Sequence, residues 1–271
     1  MVAVLEARVG DLGARGTGND DTVTSSASRD GLPSIVADTV DAALGRTHRD
    51  DPVASGTGGP AGNARLTAWT GLLLLVLSVA ELVTLINVGG LVSWHIVIGT
   101  LLIPPALVKT ASTGWRIASY YGGRPAYQQA GPPPMLLRIL GPGVVASTLG
   151  LLASGLLLVF LGQDRSRNVL ITALGQRVDW LTLHQGLFIV WAALTGLHVL
   201  GRAMPALQLT VLGNGAGGPV DGAKGRAAVL SGAAVVAAVA ALLVLSASGS
   251  WRHGDHHQPR QRAGEVGLSD R

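Results

Sequence analysis

Residues Trp180–Pro205 read WLTLHQGLFIVWAALTGLHVLGRAMP. The stretch is apolar over a length that crosses a bilayer, for which ~20 residues suffice. Two histidines interrupt it, His184 and His198, separated by 198 − 184 = 14 residues. Fourteen steps of ~100° return to within ~40° of one face, and at ~1.5 Å per residue they cover ~21 Å. One helix thus presents two imidazoles on one face, near opposite sides of a membrane. Ionisable groups inside a spanning helix are rare enough to point to function.

The rest of the composition agrees with a membrane setting. Of 271 residues, 48% are hydrophobic and only 13% charged, with long uncharged runs at Leu66–Ala80 and Ala227–Ser250. That combination indicates an integral membrane protein. The net charge of +4 is unevenly placed: residues 1–64 carry five Arg against nine acids, and the remainder carries fifteen Lys/Arg against seven. Basic residues at helix ends set orientation and meet lipid headgroups, so nucleic acid is not the expected partner. The partner expected first is the lipid bilayer. There are no cysteines, which excludes disulfides, thiolate catalysis, Cys-ligated iron–sulfur clusters and covalent haem attachment.

The pattern predicts an all-α integral membrane protein with about five transmembrane helices, four of them forming a bundle. The expected division is a disordered N-terminal tail over 1–64, the four-helix bundle over 65–207, a cytoplasmic linker over 208–226, a fifth helix over 227–248 and a polar tail over 249–271. The tail is rich in Gly, Asp, Ser and Thr, with a short helix expected at Ile35–Leu44. The five spans fall at Leu66–Ile86, Leu91–Ser112, Ile139–Leu161, Leu181–Gly201 and Ala227–Ser248. The loop after the second span holds Arg116, Arg124 and Arg138 with no acid, and that after the fourth holds Arg202, Lys224 and Arg226 with Asp221. This bias predicts a plasma-membrane protein with a cytoplasmic N-terminus.

The second span, LVSWHIVIGTLLIPPALVKTAS, places His95 and Lys109 at the same interval, 109 − 95 = 14. The second and fourth spans run parallel, so His95 and His184 share an outer depth and Lys109 and His198 an inner one. Two imidazoles facing each other from parallel helices form the axial pair of a b-type haem. The expected ligands of the haem iron are His95 and His184. A second, inner haem through His198 would have Lys109 opposite it. Lysine near a helix end usually snorkels to headgroups, and its ligation of iron is uncommon.

The glycines beside these positions, Gly99, Gly150, Gly155, Gly186 and Gly196, with Ser154, suit close helix packing and also a flat macrocycle near the backbone. Glu81 lies inside the first span, open to pairing with a cation, to hydrogen bonding or to a protonated structural role. Pro104 and Pro105 are expected to kink the second span. The tail residues His253, His256 and His257 read as solvated, with weak metal binding as the sharper alternative. The glycines of GNGAGG follow a helix and lack the strand–helix setting of a phosphate loop.

On His95, His184 and His198 in helices, the segment Leu66–Leu207 resembles bacterial cytochrome b561-like and related membrane cytochrome b subunits. HIVIGTLLIPPALVKTASTGWRIASYYGGRPAYQQAGPPPMLLRILGP also looks like actinobacterial membrane proteins of that type. The resemblance implies haem b and electron transfer between a quinone and a soluble or membrane oxidoreductase partner. The departure is Lys109, where a two-haem pattern has histidine. The competing expectation is a haem-free transporter or scaffold whose buried His, Lys and Glu line an ion path.

Overall fold

The computed structural model describes residues 40–41, 43–44, 51–132, 135–173, 175–211 and 220–252. The rest of the N-terminal tail, the GNGAGG glycines and His253, His256 and His257 lie outside these. Of the helix expected at Ile35–Leu44, one turn is described, closed by Leu44 N–H donating to Val40 O at 2.9 Å.

Five long helices carry the fold. They are α1 (Gly59–Thr84), α2 (Val88–Tyr121), α4 (Met135–Ser166), α5 (Trp180–Thr210) and α6 (Ala223–Ala247). Short helices α3 (Pro125–Gln129) and α7 (Gly249–Arg252) follow α2 and α6. Among the described residues, four helical stretches are long and apolar enough to cross a membrane, and the first is the 63-residue stretch Gly59–Tyr121. That stretch is α1 and α2 joined by a 3-10 turn, Leu85–Asn87. It doubles back on itself: at one end Asn63 Nδ2 donates to Ser112 O (3.1 Å), and at the other Thr84 meets His95 (3.0 Å). The reversal is fixed at Asn87, whose side chain accepts from Gly90 N–H and caps α2.

The helices stay together by close approach and polar bonds, because lipid tails are as apolar as the side chains they meet. The α4–α5 pair is antiparallel. A methyl added at Gly143 would lie 3.3 Å from Leu194, at Gly150 3.5 Å from Leu187, and at Gly201 3.2 Å from Leu137. Helix α1 packs on α2 and α5, and α4 likewise packs on α2 and α5, so α2 and α5 stand diagonally across the bundle. Helix α6 lies against α2. Ile96, Val159 and Val244 bring α2, α4 and α6 together in a small apolar core. Trp251 on α7 joins it and donates from Nε1 to Leu158 O at 3.0 Å. Large apolar side chains such as Val76, Ile189, Leu200 and Leu242 face outward, as lipid contact requires.

Three boundaries differ from the sequence reading. Residues 51–64 are structured: α1 begins at Gly59, with Pro60 in its first turn. The preceding loop is held by Gly56 N–H on Asp221 Oδ2 (3.2 Å) and by Arg226 on Thr57 O (3.4 Å) and Asp221 O (2.6 Å). Gly58 has φ +81°, and a side chain there would lie 2.6 Å from Asp221 O. Only glycine fits both conditions. Helix α5 runs to Thr210 and α6 starts at Ala223, which shortens the expected linker from both ends. The connection between α4 and α5 contains an antiparallel hairpin, β1 (Ile171–Ala173) with β2 (Gln176–Val178), so the chain is not purely helical. Helix α2 continues through Pro104 and Pro105, both buried.

Candidate functional site

Two polar levels lie in the bundle, one for each end of the fourteen-residue interval. At the histidine level, His95 of α2 and His184 of α5 approach across the diagonal. Their ring centres are 6.4 Å apart and their planes are at 89°. No hydrogen bond joins the two rings.

Each ring is fixed by its Nδ1. His95 Nδ1 lies 2.9 Å from Glu81 Oε1 and 3.0 Å from Thr84 Oγ1, both from α1. The Thr84 hydroxyl donates its one proton to Glu81 O at 2.6 Å, so towards His95 it can only accept. His95 therefore carries its proton on Nδ1 and shares it between Thr84 and the Glu81 carboxylate. The same deduction holds on the other side. Ser154 Oγ donates to Leu151 O (2.9 Å) and lies 2.9 Å from His184 Nδ1, so His184 also donates from Nδ1. In the neutral form, an imidazole that donates from Nδ1 keeps Nε2 as its lone-pair nitrogen. Gly155, one residue after Ser154, lets the ring sit against the α4 backbone: a methyl there would lie 3.1 Å from His184 Cε1. Gly99 does the same for Glu81, whose Oε1 would be 3.4 Å from an added methyl.

At the lysine level, fourteen residues along both helices, the surroundings change. Lys109 Nζ donates to Thr67 O of α1 at 3.1 Å and lies 2.9 Å from the position of a methyl at Gly71. It turns into the hairpin, whereas the sequence reading expected it to snorkel. Beside it Asn63, Thr67 and Ser112 form a polar cluster, with Thr67 Oγ1 and Ser112 Oγ 2.7 Å apart and Ser112 donating to Asn63 Oδ1 at 2.6 Å. His198 lies within electrostatic reach of Lys109 and Arg202. Its Nδ1 is buried with no partner among the described residues, as is Thr195 Oγ1 one turn before it.

Comparison with known protein families, curated proteins and solved structures gives no match. The chemistry must therefore be read from the two levels themselves. Among the described residues no three His, Cys, Asp or Glu side chains converge as a conventional metal site. The structure places His95 between Glu81, on its Nδ1, and the His184 ring at one level, and puts Lys109 and His198 at the other.

Sequence reasoning missed the hydroxyl partners. Thr84 lies one turn after Glu81 on the same face, a spacing that could have flagged it. Ser154 stands in the sequence among small residues suited to helix packing or to a flat macrocycle, with no sign of a hydrogen bond to His184. Arg202, one turn after His198, was read as a loop charge.

Proposed function

We propose that the chain is a membrane protein that holds one b-type haem between His95 and His184 and relays electrons through it. The observation that carries this reading is the matched pair of imidazoles, each engaged at Nδ1 and each with no hydrogen bond at Nε2 among the described residues. Two lone-pair nitrogens cannot hydrogen bond to one another; a Lewis acid between them satisfies both. With ring centres 6.4 Å apart, the two imidazoles are close enough that His95 and His184 would hold one haem iron between α2 and α5. A haem iron needs only two protein ligands because the porphyrin supplies the other four, so the lack of a three-residue cluster does not count against it. When bound, the haem supplies one-electron redox chemistry.

The chain's own residues would bind and tune it. Glu81 and Thr84 orient His95, and Ser154 orients His184, the arrangement by which outer-shell hydrogen bonds fix tautomer and raise ligand basicity. Gly155 lets the His184 ring sit against the α4 backbone. Only one haem belongs to this reading, since Lys109 is engaged by Thr67 and His198 faces cations. The two legs of the α1–α2 hairpin would cross separately, giving five crossings with the N-terminus in the cytoplasm and the lysine level nearer that side. Plasma-membrane location, a quinone and an oxidoreductase partner remain part of the proposal through the family resemblance alone.

Absorption spectra of the purified protein, oxidised and then dithionite-reduced, test the reading. A Soret band that sharpens and shifts on reduction is expected. A colourless protein after expression with ample haem supply would leave the haem-free transporter or scaffold as the better account, with Glu81, His95 and Lys109 lining an ion path.

A further inference from the structure

We infer that the β1–β2 hairpin is an interfacial anchor that seats the histidine end of the bundle on an anionic lipid surface. The hairpin connects α4 and α5, both long and apolar enough to cross a membrane. Its register pairs Ile171 with Val178 and Thr172 with Arg177. Directly opposed residues share a face of the sheet, and successive residues alternate between faces. One face therefore carries Ile171 and Val178, and the other carries Thr172 and Arg177. The Ile171 side of the apolar face is not covered by the bundle. Ile171 is 60% exposed, and Val169 and Leu170, which lead into it, are 44% and 41% exposed. Three adjacent apolar side chains left in water are unfavourable.

Chain length decides what is near enough to cover them. Only Asp179 separates Val178 from Trp180, where α5 begins. At ~3.5 Å per residue, Val178 lies within ~7 Å of that helix end. Tryptophan favours the membrane–water boundary, and the headgroup layer is about 5–8 Å deep on each side. Val178 and its cross-strand partner Ile171 thus stand at headgroup depth. The charges agree. Arg165, Arg167 and Arg177 are exposed and have no hydrogen bond or ion pair among the described residues. Of the two acids in this connection, Asp179 is bound by Thr182, which leaves Asp164 against three guanidiniums. Guanidiniums match phosphate oxygens in pairs and are drawn to anionic lipid. Apolar side chains for the acyl boundary beside basic ones for the phosphates are the make-up of an element that lies in the interface. A water-soluble protein could reach Ile171 only by displacing those headgroups. The anchor bears on the bundle through Asp179, since β2 runs into the cap of the helix that carries His184.

The inference does not rest on the haem reading and survives its failure. The chain has no cysteine, so a single introduced thiol is a unique labelling point. Full-length Ile171→Cys and Thr172→Cys proteins, each carrying a fluorophore, are reconstituted in phosphatidylcholine vesicles with phosphatidylglycerol added. Two quenchers are compared: aqueous iodide, and lipid with a nitroxide high on the acyl chain. The label at position 171 should be quenched by nitroxide lipid and shielded from iodide, and the label at 172, on the opposite face, should show the reverse. Nitroxide phosphatidylglycerol should quench position 171 more than nitroxide phosphatidylcholine does. Arg167→Gln with Arg177→Gln should lower that preference by about fivefold, the scale of one basic residue at an anionic surface. All these substitutions fall at exposed positions, so the fold is kept. Equal iodide access at 171 and 172 overturns the anchor, as does a headgroup preference unchanged by the arginine substitutions. Shielding of position 171 in native membrane vesicles but not in pure lipid would assign the face to a protein partner and overturn it too.

Discussion

The histidine level and the lysine level repeat one interval on the same two helices, yet the partners around them make different chemistry. His95 and His184 meet hydroxyls and a carboxylate at Nδ1, and Nε2 of each ring has no hydrogen bond among the described residues. Lys109 meets the Thr67 carbonyl, and His198 Nδ1 is buried without a partner among the described residues. One level is thus built of acceptors around imidazoles, and the other of a carbonyl around an ammonium. The difference arises from α1 and α4, which supply Glu81, Thr84 and Ser154 at one level and Thr67 and Gly71 at the other. Spacing on a helix places a side chain; its neighbours decide what it can do.

The sharpest way to break the comparison is to remove one imidazole from each level. His184→Ala should abolish haem incorporation, measured as haem per protein by pyridine haemochrome. His198→Ala and Lys109→Ala should retain it. Loss of haem in the Lys109 or His198 variants with retention in His184→Ala would reverse the assignment of the two levels.

Next come the glycines that admit each group. A methyl at Gly71 would lie 2.9 Å from Lys109 Nζ, closer than the 3.1 Å between one at Gly155 and His184 Cε1. The closer contact should be the cheaper. Lys109 meets it with the far end of a flexible chain that can swing aside. The His184 ring is tied to Ser154 and cannot move without breaking that bond. Gly155→Ala should cost about 2 kcal/mol, the usual scale of overpacking, and lower haem retention on heating. Gly71→Ala should be near neutral in a thermal melt.

Glu81→Gln probes a subtler asymmetry, because only one of the two rings faces a carboxylate. An ionised carboxylate accepting Nδ1–H makes His95 the stronger donor and favours the oxidised iron. The neutral amide should raise the midpoint potential by about 60 mV, a tenfold change for a one-electron couple. Ser154→Ala, which removes a neutral partner from the other ring, should shift it less. Equal shifts in redox titration would mean that Glu81 does not differ electrically from Ser154.

Much of this was legible from residues. The apolar runs located the long helices, and the interval of fourteen put His95 beside His184. What the sequence concealed was set by contacts between distant segments. Gly58, Gly59 and Pro60 look like linker composition, and only the contact of Gly58 with Val220 and Asp221 shows why a helix begins there. The hairpin β1–β2 has three-residue strands, too short for alternation to register. Lys109 looked like an interfacial lysine until Gly71 opened a gap for it in the facing helix. Thr84 and Ser154 resembled packing residues because a hydroxyl's role depends on which acceptor takes its proton.

The smallest effect expected lies at the start of α5, just outside the apolar stretch. Asp179 caps that helix, accepting from Thr182 N–H at 2.7 Å and from its hydroxyl at 2.8 Å. Asp179→Ala should cost ~1 kcal/mol, as lost N-caps do, and hydrogen exchange should quicken at Thr182 and Leu183. His184 lies within a turn of the frayed end, so the histidine level should loosen while the amides around Lys109 and His198 keep their protection. The cap also carries a pH signature. The Thr182 N–H, and then its hydroxyl, hold the Asp179 carboxyl below its ordinary range. A carboxylate depressed in the folded state stabilises above its unfolded value, and that contribution fades as pH falls through the folded one. The stability gap between wild type and Asp179→Ala should therefore be full near neutrality and close in acid; a gap that stayed constant with pH would show that the carboxylate's charge plays no part in the cap.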